Sequence, residues 1–267
     1  MLKLTRRETL SAGALTLATP SIISSAAATG SKPHICLVHG AWHGAWAWTR
    51  VLPLLIAEGY SVSALDLSGL GANAHRQSID IGLHVHGQDI LNHLFFNDYK
   101  DAVVVAHSYG GGTLSEALAG DKEGRIAHGI YLDAFLLGDG ESVADFQSAE
   151  VREGMEKALA AGEMIPTRPR ETWESIWGIT GEVAEFSAPR MRPMSPNCFL
   201  ERVQGDPFSG KARLTYMRAM QNDNKVFKMF AAKTKTDSRF SSTGVDGHHN
   251  VMVIDPPTMR DALIGAL

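Results

Sequence analysis

Apolar residues along the chain fall in short runs separated by amphipathic stretches. Residues 33–39 form one such run, closed by Gly40, and read as a strand. Residues 60–65 and 126–132 read the same way. Residues 102–106 contain Val103-Val104-Val105, a β-branched run of the kind that is buried on both faces of a sheet. Helical spacing fills the gaps. Val51, Leu54 and Leu55 share a face in residues 46–58, which stop at Gly59. Ile90, Leu91 and Leu94 do so in residues 84–96, and residues 109–119 form a helix of small residues. Strand then helix, repeated, predicts an α/β fold: a mostly parallel sheet with helices on both faces.

The alternation stops after Phe135. Residues 136–204 hold Trp173, Trp177, Phe186 and several methionines among helical runs such as 150–161, and a proline-rich stretch at 189–196. Sheet texture returns at 213–219 and weakly at 239–243. Residues 256–267 form a closing helix that starts on proline, where a missing N–H does no harm. The expected organisation is a core of residues 29–135 and 205–267 with an inserted helical cap, 136–204.

With 267 residues and 44% hydrophobic content, the chain has enough material for one domain with a sizeable core. Its 25 Lys and Arg against 29 Asp and Glu leave a net charge of −4 and no basic block, a poor match to nucleic acid. The expected partner is a small molecule. The two cysteines, Cys36 and Cys198, do not make a disulfide scaffold, and Cys36 in its apolar run reads as a buried free thiol. The 11 histidines show no ligand spacing with cysteine or carboxylate, so neither metal nor cofactor is implied. Residues 1–28 have a different logic: Arg6-Arg7 after Thr5, a modest apolar stretch over 10–23, then Ser24-Ser25-Ala26-Ala27-Ala28. This order reads as a twin-arginine export signal with a small-residue cleavage site. It predicts a mature chain from near Thr29, export machinery as a partner, a periplasmic destination and no membrane insertion once the signal is removed. Oligomeric state is not legible.

Candidate chemistry begins where the Val103–Val105 strand meets the following helix, at Ala106-His107-Ser108-Tyr109-Gly110. A serine on a tight strand-to-helix turn clears the sheet only if residues two before and two after are small, and here they are Ala106 and Gly110. Ser108 is therefore the candidate nucleophile. After the first strand comes His39-Gly40-Ala41-Trp42-His43-Gly44. This loop is expected to bring the Ala41 N–H beside the Tyr109 N–H as an oxyanion pair. Trp42, His43 and His107 are expected to line the substrate pocket. The base must come late, from His248-His249. His249 is preferred because an apolar Met252 and the helix-opening Pro256 follow at suitable distances. The acid is expected at a strand end between nucleophile and base. Asp223, just past 213–219, is the better placed, and Asp133, just past Ile130-Tyr131-Leu132, is the alternative.

These motifs carry a resemblance. His39-Gly-Ala-Trp-His-Gly-Ala-Trp46 followed by Trp48, together with Ala106-His-Ser108-Tyr-Gly-Gly111, resembles the α/β-hydrolase branch of plant methyl esterases and hydroxynitrile lyases. Tyr131-Leu-Asp-Ala-Phe135 with Asp139-Gly-Glu-Ser142 is similar to its bacterial pyrethroid-hydrolase-like carboxylesterases. The resemblance implies the α/β-hydrolase fold, a Ser108–His249–acid triad and the two backbone donors. It also shifts the acid: the family position falls about one residue before Asp223, on Asn222, which keeps Asp133 in play.

The expected function is hydrolysis of a carboxylic ester of a small, largely apolar molecule through an acyl-enzyme. A lactone needs the same machinery. A hydroxynitrile lyase of this branch carries a hydroxyl in the oxyanion loop and a lysine just after the histidine, where this chain has Ala41 and Asn250. A non-catalytic ligand-binding protein on the same fold is the alternative from another class.

Overall fold

The computed structural model describes residues 32–267. The expectation of an export signal in residues 1–28 lies outside the described residues. The strands are β1 (His34–Val38), β2 (Ser61–Leu65), β3 (Ala102–His107), β4 (Ile126–Leu132), β5 (Arg213–Ala219) and β6 (Phe240–Val245). They form one six-stranded sheet of order β2-β1-β3-β4-β5-β6, parallel throughout. Alternate residues feed two cores. Cys36, Val38, Val104 and Ala106 pack on one face, while Ile35, Leu37, Val103 and Val105 pack on the other. This is why the central strands read as unbroken apolar runs.

The helices flanking the strands are α1 (Leu52–Ala57), α2 (Leu83–Phe96), α3 (Gly110–Gly120), α8 (Lys225–Lys235) and α10 (Pro256–Ala266). The expected first helix is shorter than its apolar pattern. A 3-10 turn, Ala45–Trp48, takes its beginning, and α1 starts after Val51 with Pro53 in its first turn. Helix α8 was not among the sequence expectations. Asn224 caps it, its side-chain oxygen accepting from the Val226 and Phe227 N–H groups, and Phe227, Phe230 and Thr234 form its buried stripe.

Between β4 and β5 the chain forms α4 (Ala149–Ala161), α5 (Trp173–Trp177), α6 (Gly181–Ser187) and α7 (Asn197–Leu200), with 3-10 turns between them. Its one strand-like contact is an isolated antiparallel bridge, Ile165 to Met194. Trp173, Trp177, Ile179, Ala184 and Met191 form a small core of this segment, against which Trp42 and Trp46 pack. A short helix, α9 (Val251–Ile254), precedes α10. Among the described residues no helix is long and apolar enough to cross a membrane.

The strand order reverses direction of growth at β1 and β3. Crevices outside the carboxyl ends of parallel strands form at such switch points. The loops after β1, β3, β4 and β5 all leave from that end and meet there.

Candidate active site

Ser108 leaves β3 with φ of +55°, a left-handed conformation rare for a side chain other than glycine. Neighbouring backbone fixes the turn. The Ser108 N–H donates to Leu132 O at 3.2 Å, and Ser108 O accepts from Phe135 N at 3.0 Å and Gly111 N at 3.1 Å. The turn also needs close approach on the far side: a Cβ on Gly110 would sit 2.7 Å from His39 O. Strain at this part-buried serine is thus held by bonds to β4 and α3.

His249 comes from the segment between β6 and α9. Its Nε2 is 3.0 Å from Ser108 Oγ, and its Nδ1 is 2.7 Å from Asp133 Oδ2. A carboxylate only accepts, so the network assigns the proton to Nδ1 and leaves Nε2 free to accept from the serine hydroxyl. The ring of Phe227, from α8, stacks face-on against this imidazole, 5.1 Å between centroids and 10° between planes. His248 lies against Gly178 instead.

The expectation that Asp223 faces the histidine is corrected. The Asp223 side chain is 96% exposed and pairs with Lys228 at 2.5 Å, which lowers its pKa. The carboxylate at His249 belongs to Asp133, which is wholly buried. Register explains the difference. Leu132 pairs with Met217 and the Asp133 N–H donates to Met217 O at 2.7 Å, so Asp133 lies beside the turn that leaves β5. Its φ of +42° turns the side chain out of the strand path. That turn supplies its remaining partners. Asn222 Nδ2 donates to Oδ2 at 2.5 Å and the Ala219 N–H to Oδ1 at 3.3 Å. Arg218 Nε stands 3.5 Å from Oδ1, an ion-pair contact without hydrogen-bond geometry. The Arg218 guanidinium also donates to Asn222 O. Asn222 Nδ2 is itself 3.2 Å from His249 Nδ1, so Asn222 occupies a second position beside the same nitrogen.

Ala41, Trp42, Ser108, Tyr109 and His249 open on a cavity of about 330 Å³. The described residues offer no acceptor to the Ala41 or Tyr109 N–H. Both amides are therefore available to a ligand atom. The cavity wall is mainly apolar: Phe135, Val143, Met155, Ile165, Trp177, Phe199 and Phe227, with Gln147, Thr167, Arg168 and Asn224 as its polar positions. Apart from Trp42, none of these wall residues was expected to line the pocket; Trp177 was named only as part of the helical segment and Phe135 only as its boundary and within a resemblance motif. Their signal was only the richness in Trp and Met of the segment after β4.

His43 and His107, expected in the pocket, are behind it. Both are almost fully buried. His43 Nδ1 donates to Ala41 O at 2.6 Å, its Nε2 accepts from Asn250 Nδ2 at 2.9 Å, and its ring stacks on Trp46. His107 Nε2 donates to His249 O at 3.0 Å. Burial pushes the His43 pKa down to about 4 and the His107 pKa well below its ordinary value. These rings stay neutral and brace the backbone. His86 holds the Tyr109 side chain: its Nε2–H donates to Ser68 O at 2.9 Å, so its Nδ1 accepts from the Tyr109 hydroxyl at 2.8 Å.

The two cysteines are separate, buried thiols, and burial pushes each up to about 12. Among the described residues no three His, Cys, Asp or Glu side chains are arranged to hold a metal ion.

Known proteins share this arrangement of elements. The chain is 34% identical over 215 residues to the pFDCC methylesterase MES16 of Arabidopsis thaliana, covering 73% of this chain and 79% of that one. It is 44% identical over 109 residues to Methylesterase 2 of Arabidopsis thaliana, and 34% over 107 residues to a carbendazim-hydrolyzing esterase of a Nocardioides species. Those two shorter matches cover 39% and 40% of this chain, and only 40% and 44% of the relatives' lengths. An extracellular alpha/beta-hydrolase from a Paenibacillus species superposes with a TM-score of 0.75 at 20% identity, over 88% of this chain and 98% of that one. The pyrethroid hydrolase PytH superposes at 0.68 and 19% identity, over 88% and 96%. The model of the alpha/beta hydrolase family matches residues 37–260. The chain belongs to the alpha/beta hydrolase family.

Proposed function

We propose that the protein is a serine esterase that cleaves carboxylic esters of small, largely apolar molecules, with Ser108 as nucleophile, His249 as base and Asp133 as acid. The observation that carries this reading is the continuous chain from Ser108 Oγ through His249 to Asp133 Oδ2, at 3.0 and 2.7 Å, opening on an apolar cavity beside two free amides. That the relatives are named as esterases supports it.

Ser108 Oγ attacks the ester carbonyl carbon while its proton passes to His249 Nε2. The carbonyl π electrons move to oxygen, and the oxyanion takes the Ala41 and Tyr109 N–H groups, each donor worth about 3–4 kcal/mol of barrier. Asp133 stabilises the imidazolium and keeps its orientation. The tetrahedral intermediate collapses, the C–O bond to the alcohol breaks, and the leaving oxygen receives the proton from His249. An acyl group stays on Ser108. Water then attacks that acyl carbon, giving its proton to His249. The acid departs as the Ser108 oxygen takes the proton back.

The lyase alternative is disfavoured by two side chains. Ala41 brings no hydroxyl to the oxyanion loop, and Asn250 is fully buried and bonded to His43. Residues 1–28 are proposed to export the enzyme to the periplasm, on the twin-arginine pattern. The test of activity is a panel of p-nitrophenyl and aryl methyl esters, with S108A alongside. Turnover by the wild type alone supports the reading. Inertness of the folded wild type across the panel overturns it.

A further inference from the structure

The Ala41 N–H belongs to the peptide unit whose carbonyl is Gly40 C=O. That carbonyl accepts from His39 Nδ1 at 2.8 Å, and from His43 N at 3.3 Å. The other ring nitrogen of His39, Nε2, accepts from the Leu67 N–H at 3.2 Å. A backbone N–H only donates, so Nε2 is unprotonated and the proton sits on Nδ1. His39 is wholly buried, and burial brings its pKa down to about 3, so the ring stays neutral around neutral pH. With both nitrogens committed, the ring has one tautomer and one direction.

A hydrogen bond to an amide oxygen draws electron density from the amide nitrogen, and its N–H becomes a better donor. It also fixes the plane of the peptide, hence the line along which the N–H points. The loop needs such a device. A Cβ on Gly40 would meet His107 Nδ1 at 2.9 Å and Ser108 Cβ at 3.0 Å, so residue 40 has no side chain to set its own orientation. Ala41 O, on the other side, is held by His43 at 2.6 Å.

We propose that His39 is a positioning residue for the oxyanion hole, relaying the Leu67 N–H through its imidazole to Gly40 C=O and so aiming and strengthening the Ala41 N–H donor. This rests on the esterase reading of Ser108. The role is distinct from that of a base, because no proton moves at His39.

The test compares H39N, H39Q and H39F with wild type in the full chain, using p-nitrophenyl acetate. Asparagine places an amide N–H where Nδ1 is, glutamine moves it towards the Nε2 position, and phenylalanine keeps only ring volume. H39F is expected to lose about 10- to 100-fold in kcat with KM changed less than about twofold, and H39N to regain most of that loss. A trifluoromethyl ketone, whose carbonyl adds the Ser108 oxygen to give a hemiketal oxyanion in the hole, should weaken in step with kcat/KM. Inhibition by the product 4-nitrophenol should not. A merely structural role would weaken both inhibitors together. Wild-type kcat in H39F overturns the proposal, as does a kcat loss that leaves the trifluoromethyl ketone affinity unchanged. If H39F does not fold, H39N must exceed H39Q in kcat, and the reverse order overturns it. Wild-type inertness on every ester would instead remove the esterase reading itself.

Discussion

His249 Nδ1 donates to Asp133 Oδ2 across 2.7 Å, and the residue that bears this carboxylate has φ of +42° at the end of β4. The strained backbone lets a side chain at a strand terminus reach sideways to a loop that returns after β6. The same carboxylate collects the Asn222 amide and the Ala219 N–H from the turn after β5. Three separate segments of sequence therefore converge on one buried charge.

If Asp133 orients the imidazole, D133N should lower kcat by about 10³–10⁴-fold while KM moves little. D223N should stay within about twofold of wild type, because an exposed ion pair contributes little. Steady-state kinetics on p-nitrophenyl acetate checks both. Equal losses in the two variants would contradict the assignment.

Asn222 Nδ2 lies 3.2 Å from His249 Nδ1, close enough for a carboxylate at residue 222 to take the acid's place. The double variant D133N/N222D should recover about tenfold or more over D133N alone, a non-additive pair on one partner. No recovery would mean that only the β4 position can serve the histidine.

The proposed nucleophile and base were legible in the sequence in local form. Val103–Val105 leading to Ser108 marks strand, turn and helix at once, and His249 stands at a suitable distance before Pro256. The proposed acid was not local. Choosing Asp133 over Asp223 requires the pairing of Leu132 with Met217, which no single segment encodes. The histidines failed as pocket candidates for a related reason. Position in a loop does not say whether an imidazole faces the cavity or braces the backbone behind it, as His43 and His107 do. Helix α8 was hidden by its lysines, although Asn224 followed by Phe227, Phe230 and Thr234 was a readable cap and stripe.

Burial has a cost in acid. The pKa of His39 falls from 6.5 to about 3 and that of His43 to about 4. Below pH 6.5 the unfolded chain takes protons that the folded one refuses, so stability falls as pH falls. Each such histidine costs about 1.4 kcal/mol per pH unit until its folded pKa is reached. Urea midpoints should drop steeply from pH 6.5 to about 4.5, with a shallower slope in H39N. A flat profile over that range would contradict the neutral-histidine scaffold.

Gly154, inside α4, lines the cavity, and a Cβ there meets nothing within 4 Å. G154A should stabilise the fold by about 0.5–1 kcal/mol through helix propensity. G154L should fill part of the cavity and lower kcat/KM on p-nitrophenyl octanoate by about tenfold, leaving the acetate unchanged. Parallel losses on both esters would place the acyl chain elsewhere.

The most direct test of the central claim is to trap the acyl-enzyme. A rapid acid quench after mixing with a p-nitrophenyl ester, followed by peptide mass spectrometry, should find the acyl mass on the peptide containing Ser108 in wild type and none in S108A, which should also lack turnover. Turnover by S108A, or by wild type with the acyl group on another residue, would contradict the account.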